Sequence, residues 1–107
     1  MQAIDNNIIY LTRGDTCVIN LKVEDTEGND YDYSGDTVLF TVKRNPNDKA
    51  IVIQKTFTDG KITLSPDDTE GVQFGQYYFD VQLTKQDGTV DTVIPCSIMN
   101  IMAEVTW

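Results

Sequence analysis

The chain has 107 residues, enough for one two-layer domain spanning 1–107, and carries 17 acidic against 8 basic side chains for a net charge of −9. That balance argues against nucleic acid or an anionic membrane as a partner, because both need clustered Lys and Arg. No histidine is present, which removes the commonest general base and the commonest transition-metal ligand.

From Asn7 to Arg13 the chain is apolar on both faces and rich in β-branched and aromatic residues, which predicts a first strand, A. Arg13-Gly14-Asp15 reads as a tight turn. Strand B, Thr16 to Glu24, alternates cleanly, with Cys17, Ile19, Leu21 and Val23 facing inward. Asp25 to Asp36 holds two glycines and many turn-forming residues, and reads as a long acidic loop with a short extended piece at Tyr31 to Tyr33. Strand C runs from Thr37 to Arg44 with Val38, Phe40 and Val42 on one face, and Asn45-Pro46-Asn47-Asp48 ends it. Ile51, Ile53, Lys55 and Phe57 mark strand D, Asp59-Gly60 is a hairpin turn of the primed kind, and Ile62 and Leu64 mark strand E.

After a long connection from Ser65 to Phe74 comes strand F, Gly75 to Thr84. Tyr77, Phe79, Val81 and Leu83 share one face and Tyr78, Asp80, Gln82 and Thr84 the other, as expected of a central strand with one buried side. Gln86-Asp87-Gly88 turns the chain into strand G, where Pro95 marks a bulge or an edge, and Met99, Ile101, Ala103 and Val105 continue the alternation to Trp107. Nothing has sustained helical periodicity.

Short links join A to B, D to E and F to G, whereas B to C, C to D and E to F are long. Short links suit antiparallel neighbours in one sheet, and longer ones suit crossings between stacked sheets. The expectation is an all-β, immunoglobulin-like antiparallel sandwich of about seven strands, with A, B, E and D packed on C, F and G. Tyr77, early in strand F behind Gly71 and Gly75, sits where such sandwiches place a tyrosine that bonds back to upstream backbone. The immunoglobulin disulfide is not expected: Phe79 stands where the second cysteine would be, and Phe40 stands where a Trp would. Cys17 and Cys96 read as free thiols, buried or half-buried.

No apolar run approaches the roughly 18 residues needed to cross a bilayer, and the N-terminus shows no signal-peptide pattern, so a chain made and kept in a cytoplasm, or exported by other means, is expected. The acidic run Glu24, Asp25, Glu27, Asp30, Asp32 and Asp36 offers oxygen ligands suited to calcium, but it does not follow EF-hand spacing, and solvated loop carboxylates are the ordinary alternative. Arg13-Gly14-Asp15 matches an adhesion tripeptide, yet a tight turn needs the same residue types. Asp80 faces outward with no second carboxylate specified beside it, which leaves a two-carboxylate glycosidase unassigned. We therefore assign no catalytic residue, metal ligand or cofactor from the sequence. Apolar side chains at outer faces or edges are more informative: Ile9, Leu11, Tyr78, Met99, Ile101 and Trp107 form a candidate protein interface, the alternative being that long loops fold over such groups. The tail after Pro95 reads as an unprotected sheet edge, and residues 96–107 either contact a neighbouring subunit there or fold back across their own sandwich.

The series Leu11-Thr-Arg-Gly-Asp-Thr16, Gly35-Asp-Thr-Val-Leu-Phe-Thr-Val-Lys43, Gly75-Gln-Tyr-Tyr-Phe-Asp-Val-Gln-Leu83 and Glu104-Val105-Thr106 resembles the N-terminal domain of phage upper baseplate proteins, β-sandwich modules of tailed phages. The resemblance implies a non-enzymatic structural module of a virion, in baseplate, tail or head. Such a module is synthesised in the host cytoplasm and docks onto other virion subunits or onto itself. The alternative reading is a free-standing bacterial carbohydrate- or ligand-binding sandwich, with Tyr31, Tyr33, Tyr78 and Trp107 as candidate aromatic platforms.

Overall fold

The alternation of Gly75–Thr84 is realised in the computed structural model, which describes residues 8–105. Tyr77, Phe79, Val81 and Leu83 are buried, while Tyr78, Asp80, Gln82 and Thr84 are half-buried or exposed. In chain order the elements are β1 (Ile9–Thr12), β2 (Cys17–Asn20), β3 (Thr37–Lys43), β4 (Ile53–Thr56), β5 (Lys61–Leu64), α1 (Pro66–Thr69), β6 (Gly75–Thr84) and β7 (Val90–Met102). The strands form a five-stranded sheet in the order β1-β7-β6-β3-β4 and a two-stranded sheet of β2 and β5, so β6 is the middle strand of the larger sheet.

Between the sheets lies one apolar cluster. Val38, Phe40 and Val42 of β3 and the inward residues of β6 meet Ile62 and Leu64 of β5, and the Phe40 and Phe79 rings pack at 5.5 Å with a 38° tilt. Cys17 and Ile19 of β2 pack partly buried against it. The Tyr77 hydroxyl donates to the Gln73 carbonyl at 2.5 Å, which realises the expected corner and satisfies a buried phenol. Ser65 and Asp68 form a capping box around α1, so the long E to F link contains one helical turn that its composition did not announce.

The expected division of strands between sheets is corrected at A and D. Strand A, here β1, pairs in parallel with β7, with Ile9 opposite Met99 and Leu11 opposite Ile101. Its tight turn is present, closed by the Asp15 amide on the Thr12 carbonyl at 3.0 Å, but it carries the chain from one sheet to the other instead of making a hairpin. Strand D, here β4, pairs with β3. The Asp59-Gly60 turn has the positive φ values of a primed turn, 54° and 80°, and Thr58 and Lys61 exchange backbone hydrogen bonds of 2.9 and 3.2 Å. That pairing stops at once. The Phe57 amide bonds the Val38 carbonyl and the Leu21 amide bonds the Gly60 carbonyl, so the arms part into different sheets. Link length misled because a tight turn at a sandwich corner reverses the chain without obliging its two arms to pair.

Pro95 does mark an irregularity. Phe79 lies opposite Ser97 and Val81 opposite Ile94, which leaves one extra residue on β7 beside Asp80. A further shift follows between Val81 and Gln82, and Val93 and Ile94 are both buried in consequence. Cys17 and Cys96 are both free; Cys96 is exposed at the bulge, contrary to its expected burial.

Candidate protein interface

Of the six residues expected at an interface, three belong to the core. Leu11 is 4% exposed, Met99 0% and Ile101 2%, because β1 lies against β7 and both strands turn these side chains inward. The same pairing corrects the reading of the tail as an open edge: Met99–Met102 is hydrogen-bonded to β1 along its length, and the Arg13 amide extends the ladder to the Met102 carbonyl at 2.9 Å. Ile9 is partly buried against the core, Tyr78 is half-buried on the outer face, and Trp107 lies outside the described residues.

Among the described residues the larger sheet ends on this side one strand further out, at β1. Residues 8–12, Ile-Ile-Tyr-Leu-Thr, contain no charge and no proline, the usual devices that blunt an end strand. Tyr10 points outward at 65% exposure, in register with Asn100 and, through it, Gln76. Phe74, at 57%, and Met102 complete a shallow apolar groove with Tyr10 at this end of the larger sheet. Sequence reasoning missed Tyr10 and Phe74, and reached Met102 only as part of the tail, because it weighed β7 as the edge; the charge-free run at residues 8–12 was the available signal.

Arg13 fixes the floor of this region. Its guanidinium makes a bidentate contact with Glu104 at 2.6–3.1 Å, donates to the Val72 carbonyl at 3.0 Å and lies 5.6 Å from the Phe74 ring centroid. The hydrogen bond from Arg13 holds the Glu104 carboxyl below its usual range, and the same bond raises the Arg13 pKa. The Gly14 amide donates to the buried Thr69 hydroxyl at 2.9 Å. The Arg-Gly-Asp turn is therefore a structural joint whose arginine is engaged within the fold.

The other candidates from the sequence also have local roles. Asp25 Oδ1 accepts from the Glu27 and Asn29 amides at 2.9 and 3.0 Å, Asp32 Oδ1 accepts from the Ser34 amide at 3.0 Å, and Asp36 accepts from the Tyr31 hydroxyl at 2.6 Å. These carboxylates shape the loop's own turns. The Tyr33 hydroxyl donates to the Leu21 carbonyl at 2.7 Å, so Tyr31 and Tyr33 are half-buried struts, with their hydroxyls tied into the fold.

Asp80 occupies a hollow of about 290 Å³ on the outer face of the larger sheet. Thr41 faces it across β3, and the Gln54 amide donates to the Thr41 hydroxyl at 3.1 Å. Lys43 and Tyr78 form the adjacent cross-strand pair, Pro46 and Ile51 of the β3–β4 loop line one wall, and Cys96 of the β7 bulge lines another. Burial pushes the Asp80 pKa above the usual carboxylate range, with Lys43 opposing the shift. No protein-family model matches the chain, and no curated protein sequence shows detectable similarity to it.

Proposed function

We propose that the chain is a non-enzymatic assembly module of a phage virion, in baseplate, tail or head, and that it works by protein–protein contact through the β1 side. The observation that carries this reading is the uncharged, proline-free end strand flanked by exposed Tyr10, Phe74 and Met102. Among the described residues no strand pairs with the outer side of β1, so its backbone donors and acceptors suit addition of a partner's strand, and the apolar groove beside it offers a seat for that partner's side chains. The resemblance to upper baseplate modules supplies the virion context. We read the sandwich as immunoglobulin-like: β2 pairs with β5, β3, β6 and β7 are neighbours, and Tyr77 bonds back at the corner before β6, which supports that reading even though β1 and β4 join the larger sheet.

Two measurements test the proposal. The coding gene is expected among terminase, portal or tail genes, and light scattering across concentration is expected to show association that Tyr10→Lys abolishes while the fold is kept. A gene outside any phage cluster, together with a chain that stays monomeric throughout, would overturn it.

A further inference from the structure

The geometry points to the hollow around Asp80 as a binding site for a neutral carbohydrate, distinct from the β1 side. Its form comes from two features that flank the middle strand. On one side the β3–β4 loop, held by the Asp48 amide on the Asn45 carbonyl and the Asn45 amide on the Asp48 carboxylate, places Pro46 and Ile51 at the rim. On the other, the extra residue of β7 places Cys96 against the hollow beside Asp80. The volume of about 290 Å³ falls just under the roughly 300 Å³ at which pockets for drug-sized ligands begin, and suits a group the size of one sugar ring.

The chemistry of the lining selects the ligand. Asp80 is half-buried, and among the described residues no group donates a hydrogen bond to its carboxylate. It is a strong acceptor in a partly dried setting, and it favours a ligand that brings a donor. Lys43, on the next cross-strand pair, is a donor that forms no ion pair among the described residues. An anion would meet Asp80 unfavourably and a cation would meet Lys43 unfavourably. A hydroxyl both donates and accepts, so a polyhydroxylated neutral molecule satisfies both side chains at once. Gln54 and Gln82 add amides of the same dual character at the rim. Tyr78 and the exposed Ile51 provide apolar surface for the C–H face of a sugar ring.

The test is a titration of the isotopically labelled chain, followed by amide NMR shifts, with the methyl glycosides of glucose, galactose, rhamnose and N-acetylglucosamine as probes. Saturable shifts with at least one glycoside are expected at the amides of residues 39–43, 78–82 and 96–98. Asp80→Asn keeps the side-chain shape and is expected to weaken that binding by about tenfold, with Tyr78→Ala having an effect of similar size. Val18→Ser, on the outer face of β2, is expected to leave it unchanged. Melting curves establish that each variant is folded. The inference is overturned if none of the four glycosides shifts these amides, or if Asp80→Asn binds as well as the natural chain. It is equally overturned if Nα-acetylarginine amide shifts them where the glycosides do not, since that would make the occupant a basic side chain of a partner protein.

Discussion

On the β4 side of the sandwich Lys55 reaches across the gap between the sheets, donating to the Thr63 carbonyl of β5 at 2.8 Å and pairing with Asp68 at 2.7 Å. Asp68 in turn accepts from the Ser65 amide and hydroxyl. On the β1 side, among the described residues, no side-chain hydrogen bond joins β1 to β2, and the end strand carries apolar groups to the surface. One side is stitched by a charged side chain that also discourages strand addition; the other, among the described residues, ends in a strand without charge or proline. The difference teaches that the two sheets are joined in unlike ways, by a side-chain bridge from β4 on one side and by the backbone turn at Arg13-Gly14-Asp15, bonded to Val72 and Thr69, on the other.

The largest effect is expected from the core beneath both sides. Phe79→Ala should cost about 3–5 kcal/mol in denaturant melts, the usual loss for a buried aromatic, and Tyr78→Ala far less. Equal losses would mean that the faces of β6 are not as unequal as their burial indicates. Next comes the stitched side. Lys55→Met leaves Asp68 half-buried without its cation and should cost roughly 1–2 kcal/mol. Burial alone would raise the Asp68 pKa, but the hydrogen bonds from Lys55 and Ser65 outweigh it and hold the carboxyl below its usual range. The stabilisation from this lowered pKa is present above the ordinary carboxylate range and disappears as pH falls through that range toward the lowered value. Acid titration of the melting temperature should therefore show a shallower fall for Lys55→Met than for the natural chain.

A smaller change in stability, within about 0.5 kcal/mol, is expected for Tyr10→Lys, because Tyr10 is largely exposed. Its effect should appear in association instead, and this separates the two sides of the molecule: Lys55→Met loosens the fold without altering assembly, and Tyr10→Lys does the reverse. The smallest effect concerns Asp80. A carboxyl with a raised folded pKa loses stabilisation as pH rises from the ordinary carboxylate range through the raised value. Asp80→Asn should thus melt no lower than the natural chain at neutral pH, with any advantage vanishing in acid. A clear drop at neutral pH would mean that the carboxylate holds the fold together.

The faces of β3, β5 and β6 were legible because side-chain alternation is a local property, and so were the Asp59-Gly60 turn, the Tyr77 corner and the irregularity at Pro95. The sheet to which β1 and β4 belong was not. β1 is apolar on both faces and four residues long, so its pattern states no preference between neighbours. What settles it includes the contact of Arg13 with Glu104, a partner that no local signal names. The outward position of Asp80 was legible too. The walls around it were not, because one comes from the β3–β4 loop and the other from a bulge whose position depends on pairing with β6.

The parallel pairing of β1 with β7 also has a consequence in time. Arg13 and Glu104 are separated by 91 positions, and an emerging chain grows by about 5–20 residues per second, so β1 precedes the segment it pairs with by on the order of ten seconds. Throughout that interval the larger sheet lacks its end strand, and the groove between Tyr10, Phe74 and Met102 does not exist. The groove beside β1 is thus formed only in a chain that has completed β7.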